Sequence, residues 1–305
     1  MSAMGSKARA SELTGGRPPA AVELTPQGAL AAAVPGKGQA AVYAYATLPA
    51  GALMPGLGEP NLRAPEAVAE AIRKALDEVN PRTRAVTLVV PDTAVRVYVL
   101  DFDSLPSSTN EAQQVLRFRM RKMVPFDMER AGMSFQVLSQ GKTECRVLTA
   151  TMPGPVLEEY EAAVRAAGYE PGSVLPAGLA ALAVVEGEEP VLAACMNGFS
   201  LTTAITRGAD LLLYRTLDLP ANPAERLEEV RRDISVAAAY FEDRLEMQPK
   251  QLHYAGIGAA EEFARWTGER VLRVVELAER PASGVLTPLG ELSVAGITGA
   301  LAGAR

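Results

Sequence analysis

Three glycine-bearing turns carry the residues in this chain whose chemistry is easiest to name. Thr14-Gly15-Gly16 lies near the start, Met196-Asn197-Gly198 closes one strand-like run, and Gly256-Ile257-Gly258 closes another. Successive backbone N–H groups in such turns form concavities that hold anions, phosphate above all. Phosphoryl transfer also needs oxygen ligands for magnesium and cations to balance charge. Met196-Asn197-Gly198 offers no carboxylate, no Asp precedes Asp77, and Glu12 is the one acid near the first of these turns. The turns leave weak ATP binding conceivable and give no reason to expect hydrolysis. His253 is the only histidine, so no multi-histidine metal site can form, and its neighbours Leu252 and Tyr254 read as a strand entering the core. Cys145 and Cys195 lie in apolar runs and read as buried free thiols. Trp266 falls on a helical face and reads as packing.

The elements that must position these turns follow from hydrophobic period. Residues 191–196, 200–206 and 211–216 predict a three-stranded meander, turning at Asn197-Gly198-Phe199 and Arg207-Gly208-Ala209-Asp210. Asn222-Pro223-Ala224-Glu225 reads as a capping box with Pro at the first helical position. The helix behind it carries Leu227, Val230, Ile234, Ala237, Phe241 and Leu245 on one face, and a strand follows at 251–255. The same order is legible earlier. Strands at 21–24, 29–34 and 39–47 are split by Thr25-Pro26-Gln27-Gly28 and Pro35-Gly36-Lys37-Gly38. A helix opens at Ala64-Pro65-Glu66, and 85–90 is a near-continuous apolar strand of the kind buried on both faces. Two copies of one unit predict two lobes with a cleft between them. Between the copies, strand 95–102, helix 109–123, strands 133–138 and 145–151, and helix 155–167 predict an inserted β-α-β-β-α subdomain.

Composition bounds the function classes. The chain has 305 residues, 48% of them hydrophobic and 22% charged, enough for two sizeable cores. A net charge of -6 argues against a general nucleic-acid binder, because no global positive field draws phosphates. No apolar run approaches about 18 residues and no signal-peptide pattern stands at the start, so the expectation is a cytoplasmic protein that meets a membrane only through a partner. The first 18 residues, with Lys7, Arg9 and Arg17 against Glu12, read as a flexible leader.

In this order of elements the chain resembles PilM, the actin-like protein of the type IV pilus assembly platform, itself related to FtsA and to the cytoplasmic part of GspL. Ala21-Val22-Glu23-Leu24, Val89-Val90-Pro91, Leu105-Pro106 and Val124-Pro125-Phe126 with the strand Ser134-Phe135-Gln136-Val137-Leu138 carry the likeness. So do Leu157-Glu158-Glu159-Tyr160, Ala167-Gly168-Tyr169-Glu170-Pro171 and Tyr240-Phe241. The resemblance covers about residues 20–303. PilM-like chains usually carry an acidic Asp-Ile-Gly-Ser-Ser turn and a Lys before the Val-Glu-Leu segment. Here Ala20 stands in the place of that Lys, and Met196-Asn197-Gly198 replaces a second Asp-Ile-Gly.

The resemblance implies an α/β, actin-like (RNase H-type) fold. Its expected parts are a leader (1–18), a first lobe (19–99, completed by helices within 172–188 and 286–303), the inserted subdomain (100–171) and a second lobe (189–285). It implies a non-enzymatic scaffold whose degenerate nucleotide cleft is built from Thr14, Gly15, Gly16, Met196, Asn197, Gly198, Gly256 and Gly258. The alternative is an active ATPase with a nonstandard ligand set. No cofactor or metal is expected. The implied partner is the cytoplasmic tail of a PilN-like inner-membrane protein, with pilus motor ATPases as further partners. The tail would lie extended in a groove between the first lobe and the subdomain, where Val97, Phe118, Arg119, Arg121, Met123 and Phe126 are the candidate contacts. Arg117, Arg119, Arg121 and Lys122 also suit the negative end of a helix dipole, which is an ordinary stabilising role.

Overall fold

The computed structural model describes residues 17–36, 39–58, 60–141, 143–208, 210–279 and 292–302. The chain enters through β1 (Ala20–Thr25), β2 (Gly28–Ala33) and β3 (Val42–Thr47), an antiparallel meander. Helix α1 (Pro65–Val79) and strand β4 (Ala85–Val90) follow, β4 running parallel to β1. Small residues set the character of this sheet. Alanines in β1 and β2 let α1 lie close on one face through Val68, Ile72, Ala75 and Leu76, all fully buried.

The inserted unit is β5 (Arg96–Phe102), α2 (Thr109–Met120), β6 (Gly132–Gln140), β7 (Cys145–Met152) and α3 (Gly154–Ala166). Its sheet has the order β5-β7-β6, with α2 packed on one face through Leu116 and Met120. The chain returns as β8 (Glu170–Pro176), parallel to β4, and α4 (Ala177–Ala181).

The second lobe repeats the first in β9 (Pro190–Asn197), β10 (Ser200–Arg207), β11 (Asp210–Asp218), α5 (Pro223–Leu245), β12 (Gln251–Gly256), α6 (Ala260–Thr267) and β13 (Arg273–Glu276). Asn222 caps α5, its side chain accepting from the N–H groups of Ala224 and Glu225. The two sheets, β3-β2-β1-β4-β8 and β11-β10-β9-β12-β13, share one order and one pattern of parallel and antiparallel pairs. Helix α7 (Ala295–Ala302) then packs on the first lobe beside α4. This is the α/β, actin-like, two-lobed architecture that the element order implies.

Several expectations need correction. Residues 170–176 are the edge strand β8, where helix was expected from about 172. Pro171 and Gly172 hid its β character. The last helix is described from Ala295, not 286, and 286–291 lie outside the described residues. Strand β5 starts at Arg96 and so runs across the expected boundary between 99 and 100. The parallel strand β13 was not read at all, its four residues being too short for a pattern.

Candidate functional site: the interlobe cleft and the subdomain groove

Strands β1 and β9 occupy equivalent places in their sheets, and each ends in a tight turn that faces the cleft. In the first lobe this is Thr25-Pro26-Gln27-Gly28, closed by the Thr25 hydroxyl, which lies 3.2 Å from both the N–H and the carbonyl of Gly28. Thr14-Gly15-Gly16 lies outside the described residues. Ala20 sits on β1, fully buried. In the second lobe the turn passes through Gly198 at φ +61, a left-handed position that suits glycine. Gly256 ends β12, and a Cβ there would lie 2.3 Å from the Tyr254 hydroxyl and 2.9 Å from the Met196 carbonyl.

The turns enclose a cavity of about 80 Å³, lined by Asn197, Gly198 and Gly256 of the expected set. Met196 instead packs against the second-lobe core. Gly258, at φ +78, is not part of the cavity wall. Apart from Glu23, the rest of the wall is apolar or neutral, including Leu24, Leu30, Pro91, Phe199 and Ile257. Leu30 pairs directly across the hairpin from Glu23, putting an alkyl chain on the wall.

Two acids that the sequence reading left out of its site stand here, Glu23 on the cavity wall and Asp92 buried close to it. Glu23 lines the cavity at 5% exposure, and its Oε2 has no hydrogen-bond partner among the described residues. Burial, followed by the neighbouring Asp92 charge, pushes its carboxyl up to about 8, against the pull of the Ile297 N–H at the start of α7. Asp92 is buried where the lobes meet. It accepts from the Gly178 N–H at 3.0 Å, from Asn197 Nδ2 at 3.3 Å and from the Tyr214 hydroxyl at 3.5 Å. Burial still raises it to about 6. Asn197 and Tyr214 belong to the second lobe, so Asp92 ties the lobes together, and the Arg96–Asp218 ion pair at 2.7 Å ties the inserted unit to the second lobe. Glu23 appeared in the sequence only as part of an apolar strand. Nothing local marks either acid as sharing a cavity.

This wall does not fit a magnesium nucleotide. No Lys, Arg or His lines it among the described residues, and a drug-sized ligand needs roughly 300–1,000 Å³. Triphosphate charge would find no compensating cation on this wall, with the Glu23 carboxyl beside it.

The expected partner contacts are not gathered in one place. Val97 is 8% exposed and belongs to the core that the subdomain shares with the first lobe. Met123 and Phe126 pack against the subdomain core under α2. Phe118, 64% exposed, Arg119 and Arg121 project from the outer face of α2, with the Lys122 ammonium 5.8 Å from the Phe118 ring centre. Arg117, by contrast, is spent locally, donating to the Met128 and Ala131 carbonyls. None of the six expected contacts lines a groove between subdomain and first lobe.

That groove has other walls. One part, of about 310 Å³, is lined by Ser134, Ala150 and Met152 of the subdomain and by Val90, Val174 and Pro176 of the first lobe. A second part, also about 310 Å³, continues past Gln136, Leu138 and Leu148 to Leu175 and Leu179. Its two sides include β6 and β8, each the last strand of its sheet. Both are partly exposed, so the groove lies between two strand edges that can accept a further strand. His253 sits half-buried on β12, where burial lowers its basicity, and Cys145 and Cys195 are buried free thiols. Among the described residues no helix is long and apolar enough to cross a membrane, and no group of three or more metal-ligating side chains occurs.

No family model matches the chain, and no curated protein matches it in sequence. Solved structures do. PilM of a PilM–PilN type IV pilus biogenesis complex is similar at a TM-score of 0.74 and 20% identity, over 94% of this chain and 98% of that one. The cytoplasmic domain of EpsL, an inner-membrane component of the Vibrio cholerae type II secretion system, is similar at 0.50 and 14%, over 88% and 92%. At these identities the likeness establishes a shared fold.

Proposed function

We propose that the protein is a non-enzymatic scaffold of a type IV pilus or related type II secretion inner-membrane platform. It holds the cytoplasmic tail of a PilN-like membrane protein and links it to motor ATPases. The observation that carries this reading is the groove between β6 and β8, in a chain that matches the PilM of a PilM–PilN complex over nearly its whole length. An extended peptide suits such a groove, because its backbone can bond to a free strand edge while alternate side chains enter the apolar walls. The protein is cytoplasmic and peripheral to the membrane, held there through this tail. The cleft contributes no ATP hydrolysis, since its wall offers phosphate no cation.

The test is a synthetic peptide of the PilN-like tail from the same genome, titrated by fluorescence anisotropy. Micromolar affinity is expected, reduced at least tenfold by Ser134→Trp, which fills the groove from an exposed position. Loss of binding in Phe118→Ala or Arg119→Glu, with Ser134→Trp unaffected, would move the site to the outer face of α2. A magnesium-dependent ATPase activity lost in Asp92→Asn would overturn the non-enzymatic part.

A further inference from the structure

Because the cleft does not suit a nucleotide, its actual wall points to a different ligand. Its base carries Glu23, 95% buried by its 5% exposure, lining the cavity with one carboxyl oxygen unpartnered among the described residues. A polar oxygen buried this deeply without a partner is destabilising, so a ligand that donates to it recovers an interaction the protein leaves unmade. A second carboxyl, on Asp92, is close enough to act on Glu23 electrostatically. The wall around them holds no cation, only Thr25, Gln27, Thr93, Asn197 and Ser293 as polar neighbours. These supply hydroxyl and amide oxygens that can take further N–H bonds.

The remainder of the wall is alkyl and aromatic. At the mouth, Phe199 and Ile257 are 54% and 45% exposed, unusual for large apolar side chains. The Phe199 ring already attracts a cation on one side, with the Arg226 guanidinium 4.5 Å from its centre. That arginine is itself occupied, donating to the Pro220 and Ala221 carbonyls. At about 10–15 Å³ for each water-sized sphere, the 80 Å³ cavity takes a body of about five to eight non-hydrogen atoms.

We propose that the interlobe cleft binds a compact primary alkylammonium, its head on Glu23 Oε2 and its alkyl chain against Leu24, Leu30 and Ile257. An ammonium supplies three donors and the one charge the wall lacks, while an alkyl chain of about four to seven carbons keeps the ligand within the five to eight non-hydrogen atoms the cavity takes. An anion would meet Glu23 and Asp92, and a neutral alcohol would leave both carboxyls without a counter-charge. A free amine and the tip of a lysine presented by a polypeptide share this chemistry. The inference does not rest on the groove reading, since the two sites share no described wall residue.

Calorimetric titration of the full chain tests this with n-butylammonium, n-butanol and butyrate, and with N-acetyl-lysine N-methylamide as the lysyl arm. The expected result is saturable binding of n-butylammonium at millimolar concentration or below, at least tenfold tighter than either of the uncharged or anionic analogues. Tighter binding of the lysyl compound than of n-butylammonium assigns the site to a polypeptide, and the reverse order to a free amine. Glu23→Gln keeps the shape and removes the carboxyl that can give up its proton and pair with the ammonium, and should weaken binding tenfold or more. Ile257→Trp, at an exposed position of the mouth, should do so with Glu23 intact, and covers the case in which the buried variant fails to fold. Tail-peptide affinity should be unchanged in Ile257→Trp. Equal binding of butanol or butyrate, no binding of either amine, or affinity unaltered in both variants would overturn the assignment.

Discussion

Replacing Glu23 by Gln should stabilise the fold at neutral pH and not at acid pH. The carboxyl titrates near its ordinary 4.5 in the unfolded chain and near 8 when buried beside Asp92. Between those values the folded protein holds a proton that the unfolded chain has released. Stability associated with Glu23 is therefore fully present below about pH 4.5 and falls as pH rises toward 8, levelling off above it. At about 1.4 kcal/mol per pH unit, the difference reaches about 3 kcal/mol at pH 7 and about 5 kcal/mol in full. Gln carries no proton to lose and escapes this penalty. Asp92, raised to about 6, titrates with the same sign in both proteins and largely cancels in the comparison. Thermal unfolding of wild type and Glu23→Gln at pH 5, 6, 7 and 8 reads the effect directly. The gap in Tm should widen by about 5 °C or more from pH 5 to pH 7, taking about 2 °C per kcal/mol. Parallel curves would refute the reasoning, since they would mean that Glu23 is already ionised in the fold and balanced by a cation.

Other consequences are as direct. Purified protein should turn over ATP no faster than its buffer control, and Met196→Asp should not rescue it, because residue 196 packs into the second-lobe core rather than lining the cleft. Gly299→Ala should destabilise the first lobe by about 1–3 kcal/mol, seen as a lowered Tm, because the new Cβ would meet the Ala180 carbonyl where α7 crosses α4. Tyr160→Phe should cost about 1–2 kcal/mol and speed proteolysis within residues 49–65, because the Tyr160 hydroxyl donates to Asn61 Oδ1, which also holds the Gly56 N–H.

Much of the fold was legible because its signals are local. The meander 191–216 showed its strands through period and its turns through Asn197-Gly198 and Arg207-Gly208, and the cap of α5 was written in Asn222-Pro223. The duplication also survived as an order of elements, since each lobe needs the same strands to bury the same sheet. Signals failed where the partner was distant. Residues 170–176 carry Pro and Gly and still form a strand, because β4 offers them a free edge 80 or more residues earlier in the chain.

The site divided in the same way. Sequence alone determined that the Met196-Asn197-Gly198 turn lacks an aspartate and that no multi-histidine metal site can form, because residue identity settles which donors exist. It could mark the glycines at 198 and 256 as turn residues, because backbone geometry is a local property. Only the tertiary structure decided which strand ends face the cleft, and so brought Thr25-Pro26-Gln27-Gly28 to its wall. It alone joined Glu23 on that wall to the buried Asp92, 69 residues away in sequence, and placed Phe118 and Arg119 on the solvent side of α2 rather than in the groove. An apolar strand predicts that a side chain is buried, but not what it is buried against. Ionisation, cavity shape and partner access all depend on that second fact, which contacts between distant segments create.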